Sequence, residues 1–169
     1  MKKILVLMMT LAISLNLIAC AGEEITLQSQ TVYNLTLDVP SDFSEFTEVA
    51  EQVKMASNEE KTAVITISER IDAGGITADL WDEETFAANM LAGLGDLQVL
   101  KFSNTETVAG TTAVYSHYTG KNSSDTEAEG HNYLLYFDDG TFQSIAFNFT
   151  KGAESSLKQN LTAVIDSIK

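Results

Sequence analysis

Cysteine is nearly absent from this 169-residue chain. Cys20 is the only one, so no intrachain disulfide can form and the fold must be held by packing alone. Positive charge is also scarce, with 10 Lys and Arg against 24 Asp and Glu, a formal net charge of -14. Nucleic-acid affinity comes from basic side chains that displace counterions from phosphates. After Lys2 and Lys3, the basic residues (Lys54, Lys61, Arg70, Lys101, Lys121, Lys151, Lys158 and Lys169) are scattered and form no patch. Nucleic acids and anionic lipid surfaces are therefore excluded as partners. Histidine occurs twice, as His117 and His131, and proline and tryptophan once each, as Pro40 and Trp81. No serine lies in a Gly-x-Ser-x-Gly elbow. Gly74-Gly75 and Gly93-x-Gly95 lack the strand, helix and lysine of a phosphate-binding loop. No internal repeat or low-complexity tract occurs.

The start of the chain carries its clearest signal. Lys2 and Lys3 precede an apolar stretch from Ile4 to Ile18, broken only by Thr10, Ser14 and Asn16. It is shorter than the roughly 20 apolar residues that span a bilayer. With Leu17-Ile18-Ala19-Cys20 closing it, the segment resembles a bacterial lipoprotein signal peptide and its lipobox. The resemblance implies cleavage after Ala19, lipidation of Cys20 by a diacylglyceryl group and a further acyl chain such as palmitate, and a cell-envelope protein anchored on the extracytoplasmic side of a membrane. Asn-x-Ser/Thr matches at Asn34, Asn122, Asn148 and Asn160 carry no weight in a bacterial chain. Removing residues 1–19 leaves 150 residues and, with Lys2 and Lys3 gone, takes the charge from -14 to -16. That length suits one domain burying about 68–70% of its unfolded surface.

Residues 20–30 read as the lipidated cysteine and a polar tether, and residues 31–169 as a single domain. Ten tether residues reach at most about 35 Å. Tyr33 to Val39 alternates, with Leu35, Leu37 and Val39 on one side, until Pro40 ends the strand. Val53 to Ser57 and Ala63 to Ser68 are further strands. From about Asp79 the period lengthens, and Phe86, Ala87, Met90, Leu91 and Leu94 make one helical stripe. Leu97–Phe102 and Thr112–Thr119 return to strand, and 122–130 reads as an acidic loop. Asn132–Phe137 and Thr141–Phe149 flank Asp139-Gly140, which predicts a two-residue type I′ hairpin in which residues summing to 279 face each other. Both faces of that hairpin are apolar, so it should be central. A closing helix runs from Glu154 to Ile168, with Leu157, Leu161, Val164, Ile165 and Ile168 on its buried side.

Strands, helix, strands and a last helix predict an α+β fold. The strand ending at Pro40 with nearby aromatics, the Val108-Ala109-Gly110-Thr111-Thr112-Ala113 step, the hairpin at Asp139-Gly140 and the closing helix resemble the Mog1/PsbP-like superfamily over residues 31–169. The resemblance implies a twisted antiparallel sheet flanked by helices on both faces. It also implies a binding or assembly factor with no catalytic residue, in contact with an unknown protein or small-molecule partner.

Few residues offer chemistry. His117 and His131 flank the acidic loop, where Asp125, Glu127 and Glu129 could add oxygens to a mixed metal site. The plainer reading is a solvated loop between two strand-end histidines, with no resident cofactor or metal. Asp125 to Gly130 also mimics the start of an EF-hand loop, but Tyr136 stands where the bidentate glutamate should be. Ser116 and His117 are adjacent on a strand and so face opposite ways. Glu59-Glu60 and Asp138-Asp139 read as solvated turns, and Trp81 as core packing. The function expected is a membrane-anchored, non-catalytic binding module, with a cell-envelope hydrolase as the alternative.

Overall fold

The alternating runs become the strands of one antiparallel sheet. The computed structural model describes residues 25–169. Its elements are β1 (Leu27–Val32), β2 (Leu35–Pro40), β3 (Thr47–Ala50), β4 (Val53–Ser57), β5 (Ala63–Ser68), β6 (Ile71–Asp72), a 3-10 turn at Ala78–Leu80, α1 (Glu83–Met90), β7 (Gly95–Val108), β8 (Thr111–Lys121), β9 (Glu127–Tyr136), β10 (Thr141–Thr150) and α2 (Ser156–Asp166). The main sheet runs β3-β4-β5-β10-β9-β8-β7, with β6 also pairing β10, while β1 and β2 form a separate hairpin. Among the described residues no helix is long and apolar enough to cross a membrane.

One face of the sheet is covered by the β1–β2 hairpin and by α2. Leu35, Leu37 and Val39 pack there with Ile65, Ile67, Ile145 and Phe147 of the sheet and Leu157, Val164 and Ile168 of the last helix and its end. The two covering pieces are also joined to each other. Thr36 and Lys169 exchange backbone hydrogen bonds of 3.0 and 2.9 Å, and the Asp38 amide donates to Ser167 Oγ at 2.7 Å. Ser155 caps α2 by accepting from the Lys158 amide. The opposite face carries α1 and the shorter 3-10 turn, which set Phe86 and Ala78 against Val114, Tyr118 and Leu134 with Leu91 beside them. Asp82 caps that helix through the Thr85 amide at 2.7 Å. The fold is thus α+β with a helix on each face of an antiparallel sheet, as the sequence implies.

Three readings are corrected. Leu27–Gln30, taken as the end of the tether, form the first part of β1 and pair with Leu37–Pro40. The acidic loop is shorter than expected, because β9 begins at Glu127. The third correction is the hairpin register. Phe142 faces Tyr136 and Gln143 faces Leu135, so partners sum to 278 and the loop holds three residues, Asp138-Asp139-Gly140. Gly140 sits at φ +80°, and Asp139 Oδ1 accepts from the Thr141 amide at 3.1 Å and from its hydroxyl at 2.5 Å. That is a turn closed by a left-handed glycine bulge rather than a type I′ pair. A one-residue slip moves a whole strand to the other face. Ile145, Phe147 and Phe149 therefore join Leu135 and Tyr133, while Phe142 stacks on Tyr136 behind them. The two-residue loop with positive φ at both positions lies instead at Ala109-Gly110, between Val108 and Thr111.

Candidate functional site

Two places on the β8–β9 ladder gather polar side chains, one at its Thr112–Tyr136 end and one near its middle. At the loop end, a cleft of about 550 Å³ opens between the 73–79 segment, β7 and the Asp138–Gly140 loop. Trp81 holds its walls together. Its indole Nε1 donates to the Tyr136 hydroxyl at 2.5 Å, and its carbonyl accepts from Asn104 Nδ2 at 2.9 Å, tying the 3-10 turn to β9 and β7 at once. Burial raises the Tyr136 phenol above its ordinary pKa against the opposing effect of the Trp81 bond. Ile76, Ala78 and Phe137 supply apolar lining, and Asp79, Glu106 and Asp138 supply carboxylates. Among the described residues, no Lys, Arg, His, Ser or Cys lines the cleft. Ile76 and the neighbouring Leu80 remain 47% and 62% exposed, so apolar surface continues outward from its mouth.

Near the middle of the ladder lie the histidines. They are not strand-end residues, since the short loop after Lys121 makes β8–β9 partners sum to 248 and sets His117 directly opposite His131. Their rings stack with centroids 4.3 Å apart and planes 7° from parallel. Glu129, next on the same face, brings Oε1 to 3.0 Å from His117 Nε2, while its Oε2 accepts from Lys158 Nζ at 2.8 Å. That lysine is the chief reason the Glu129 carboxyl titrates below the usual range. Tyr115 OH lies 2.9 Å from His131 Nδ1. Burial, aided by the neighbouring His117, drives the His131 pKa down to about 4.

The other candidates do not converge. Asp125 and Asp96 share Lys121, at 3.4 and 2.9 Å, and Glu127 pairs with Lys151 at 3.2 Å. Strand geometry from Glu127 onward also rules out an EF-hand loop around Asp125. The Ser116 hydroxyl is fully buried on the face opposite His117 and has no hydrogen-bond partner. Trp81 packs edge-on against Phe86 at 5.7 Å. Cys20 lies outside the described residues. The cleft residues were missed because β7 reads from sequence as ending at Phe102. The Ser103–Val108 stretch is polar and reads as loop, although its bulges keep it paired with β8 through to Thr111.

No protein-family profile and no curated protein matches this sequence. Solved structures do match. Cyanobacterial PsbP (CyanoP) from Synechocystis sp. PCC 6803 superimposes with a TM-score of 0.62 at 12% identity, over 91% of this chain and 98% of that one. The domain has the Mog1/PsbP-like fold. The Saccharomyces cerevisiae Ran-binding protein Mog1p matches it at a TM-score of 0.58 and 14% identity, over 86% of this chain and 96% of its own. At such identities the Mog1/PsbP-like likeness is one of backbone architecture. It assigns no residue a role.

Proposed function

We propose that this chain is a lipid-anchored, non-catalytic binding or assembly module on the extracytoplasmic side of a bacterial membrane, with the cleft beside the Asp138–Gly140 loop as its recognition surface. The observation that carries the reading is the cleft itself. Its volume of about 550 Å³ lies in the range of small-ligand pockets, roughly 300–1,000 Å³. Its apolar lining and the carboxylates Asp79 and Asp138, beside a Glu106 already paired with Lys101, suit a ligand or chain segment with an apolar body and a neutral or positive group. The lining, as described, holds no serine, cysteine or histidine and so no Ser–His or Cys–His pair.

The anchor rests on Lys2, Lys3 and the Leu17-Ile18-Ala19-Cys20 run. Between Cys20 and β1 stand Ala21 to Thr26, six residues that reach at most roughly 21 Å. Such a link would keep the domain near the bilayer while leaving the cleft free to meet soluble or membrane-bound partners. Two acyl signals suffice for stable attachment. Cys20→Ser should therefore abolish lipidation and the cleavage coupled to it, read by mass spectrometry of the mature amino terminus. A mutant chain that still begins at residue 20 and carries lipid would refute the anchor.

A further inference from the structure

We propose that His117, Glu129 and His131 form a binding site for one divalent transition-metal ion of the zinc, nickel or copper class, on the sheet face beside the start of α2. One ligand atom from each of the three lies within 4.8 Å of the other two. Two nitrogens on a tetrahedral zinc lie about 3.4 Å apart, given bond lengths near 2.0–2.1 Å. From planes 7° apart the two rings must tilt toward each other so that both in-plane lone pairs meet at one ion, closing the ligand atoms by up to about 1.4 Å. Two histidines and one carboxylate are a ligand set that leaves a fourth position open. Imidazole nitrogen selects the zinc, nickel and copper class over magnesium or calcium.

The surroundings fix the ligands much as outer-shell groups do in established metal sites. Tyr115 OH engages Nδ1 of His131, which leaves Nε2 as the free nitrogen of that ring. Lys158 engages Oε2 of Glu129, which leaves Oε1 directed at His117. The side chains of His117 and Glu129 are 25% and 20% exposed, so an ion can enter. The other charged groups on this face are accounted for. Lys101, opposite His117, lies over the Tyr115 ring at 5.1 Å and pairs with Glu106 at 3.4 Å, which leaves Lys158 as the cation in direct contact with the ligand set. Its charge opposes a bound metal and makes the site weaker than its ligands alone would be.

The test uses the untagged full chain carrying Cys20→Ser, so that the thiol contributes no ligand, stripped of metal and titrated with zinc chloride by calorimetry. One equivalent should bind saturably, and the histidine side-chain nitrogen resonances of His117 and His131 should shift together. His131→Ala and Glu129→Gln each remove a direct ligand and should weaken binding by more than the roughly 10-fold that loss of an outer-shell partner costs. Lys158→Met removes the opposing charge and should tighten it several-fold. That last variant keeps the proposal exposed even if His131→Ala unfolds. Absence of saturable binding, or binding indifferent to Glu129→Gln and Lys158→Met, would leave the histidines as a stacked ladder pair and overturn the site.

Discussion

The two faces of the sheet are covered very differently. One carries a hairpin, a capped helix and the reciprocal bonds between Thr36 and Lys169, and its core residues Leu37, Val39, Ile65, Ile67, Phe147 and Leu157 are fully buried. The other relies on an eight-residue helix. Beneath it, Ser116 and Asn132 pair across β8 and β9, and their Oγ and Oδ1 are buried with no hydrogen-bond partner among the described residues, against one such atom, Gln143 Oε1, on the heavily covered face. Each such group costs about 1–3 kcal/mol. The heavily covered face supplies stability, and the thinly covered one leaves open surface at its rim, where the cleft lies. Binding surfaces are commonly drawn from the less stable part of a domain.

Matched truncations test that difference most strongly. Phe147 and Phe86 are both 0% exposed, one on each face. Phe147→Ala should cost about 4–5 kcal/mol and unfold the whole domain cooperatively, because rigid neighbours on every side preserve the cavity. Phe86→Ala should cost nearer 3 kcal/mol, since α1 can shift or fray to fill the space. Denaturant melts of both variants, with hydrogen exchange of the α1 amides, give the comparison. Equal losses with no local opening of α1 would mean the faces are equivalent.

Which residues serve which face depends on the loop at Gly140. Gly140→Val places a β-branched residue at φ +80° and should cost about 1–2 kcal/mol through left-handed strain, although a Cβ there meets nothing within 4 Å. Asp139→Asn keeps the oxygen that Thr141 uses and should leave the melting temperature nearly unchanged. An unaffected Gly140→Val would place the register elsewhere.

Alternation and helical period were enough to read β2, β5 and both helix stripes, because each buries one side, whereas β4 was read from its residue types with only Ala56 buried. The hairpin loop was not decided by pattern. Asp-Gly fits both a two-residue and a three-residue turn, and both strands are apolar on both faces, so either register buries hydrophobic side chains. The Asp139 to Thr141 side-chain bonds, which favour the longer loop, are tertiary detail. The meeting of the histidines was legible, since His117 and His131 lie on strands either side of one loop and are equidistant from residue 124, its centre. What was obscured was the strand start, because the polar sequence of Glu127–Gly130 reads as loop although it is strand, and with it the choice of Glu129 over Asp125 and Glu127. Bulges in β7 hid the cleft in the same way, by extending pairing through residues with little strand propensity.

A smaller effect distinguishes the middle of the ladder, where the histidines lie, from the cleft end. His131 titrates near 4 in the fold, against about 6.5 when unfolded. Between these values the unfolded chain binds a proton that the folded chain refuses, so stability is fully present above about pH 6.5 and declines toward pH 4. The lowered carboxyl of Glu129 acts in the same direction at more acidic pH, through loss of its bond to Lys158. With a discount for the solvent that reaches the ring, the histidine contributes about 1 kcal/mol. Thermal melts of metal-free protein from pH 7.5 to 4.5 should fall more steeply for wild type than for His131→Gln. Parallel curves would remove His131 as the source.

The claim that recognition occurs at the rim of the thinly covered face is tested most directly by photocrosslinking in living cells. A photoreactive amino acid would replace Thr107 in the cleft or, as the control, Val49 on the far edge strand β3, which is 51% exposed. The account predicts a discrete crosslinked species from position 107 that is absent from position 49 and is lost when Tyr136→Ala disturbs the cleft wall. Crosslinks of equal yield from both positions, or from position 49 alone, would contradict it.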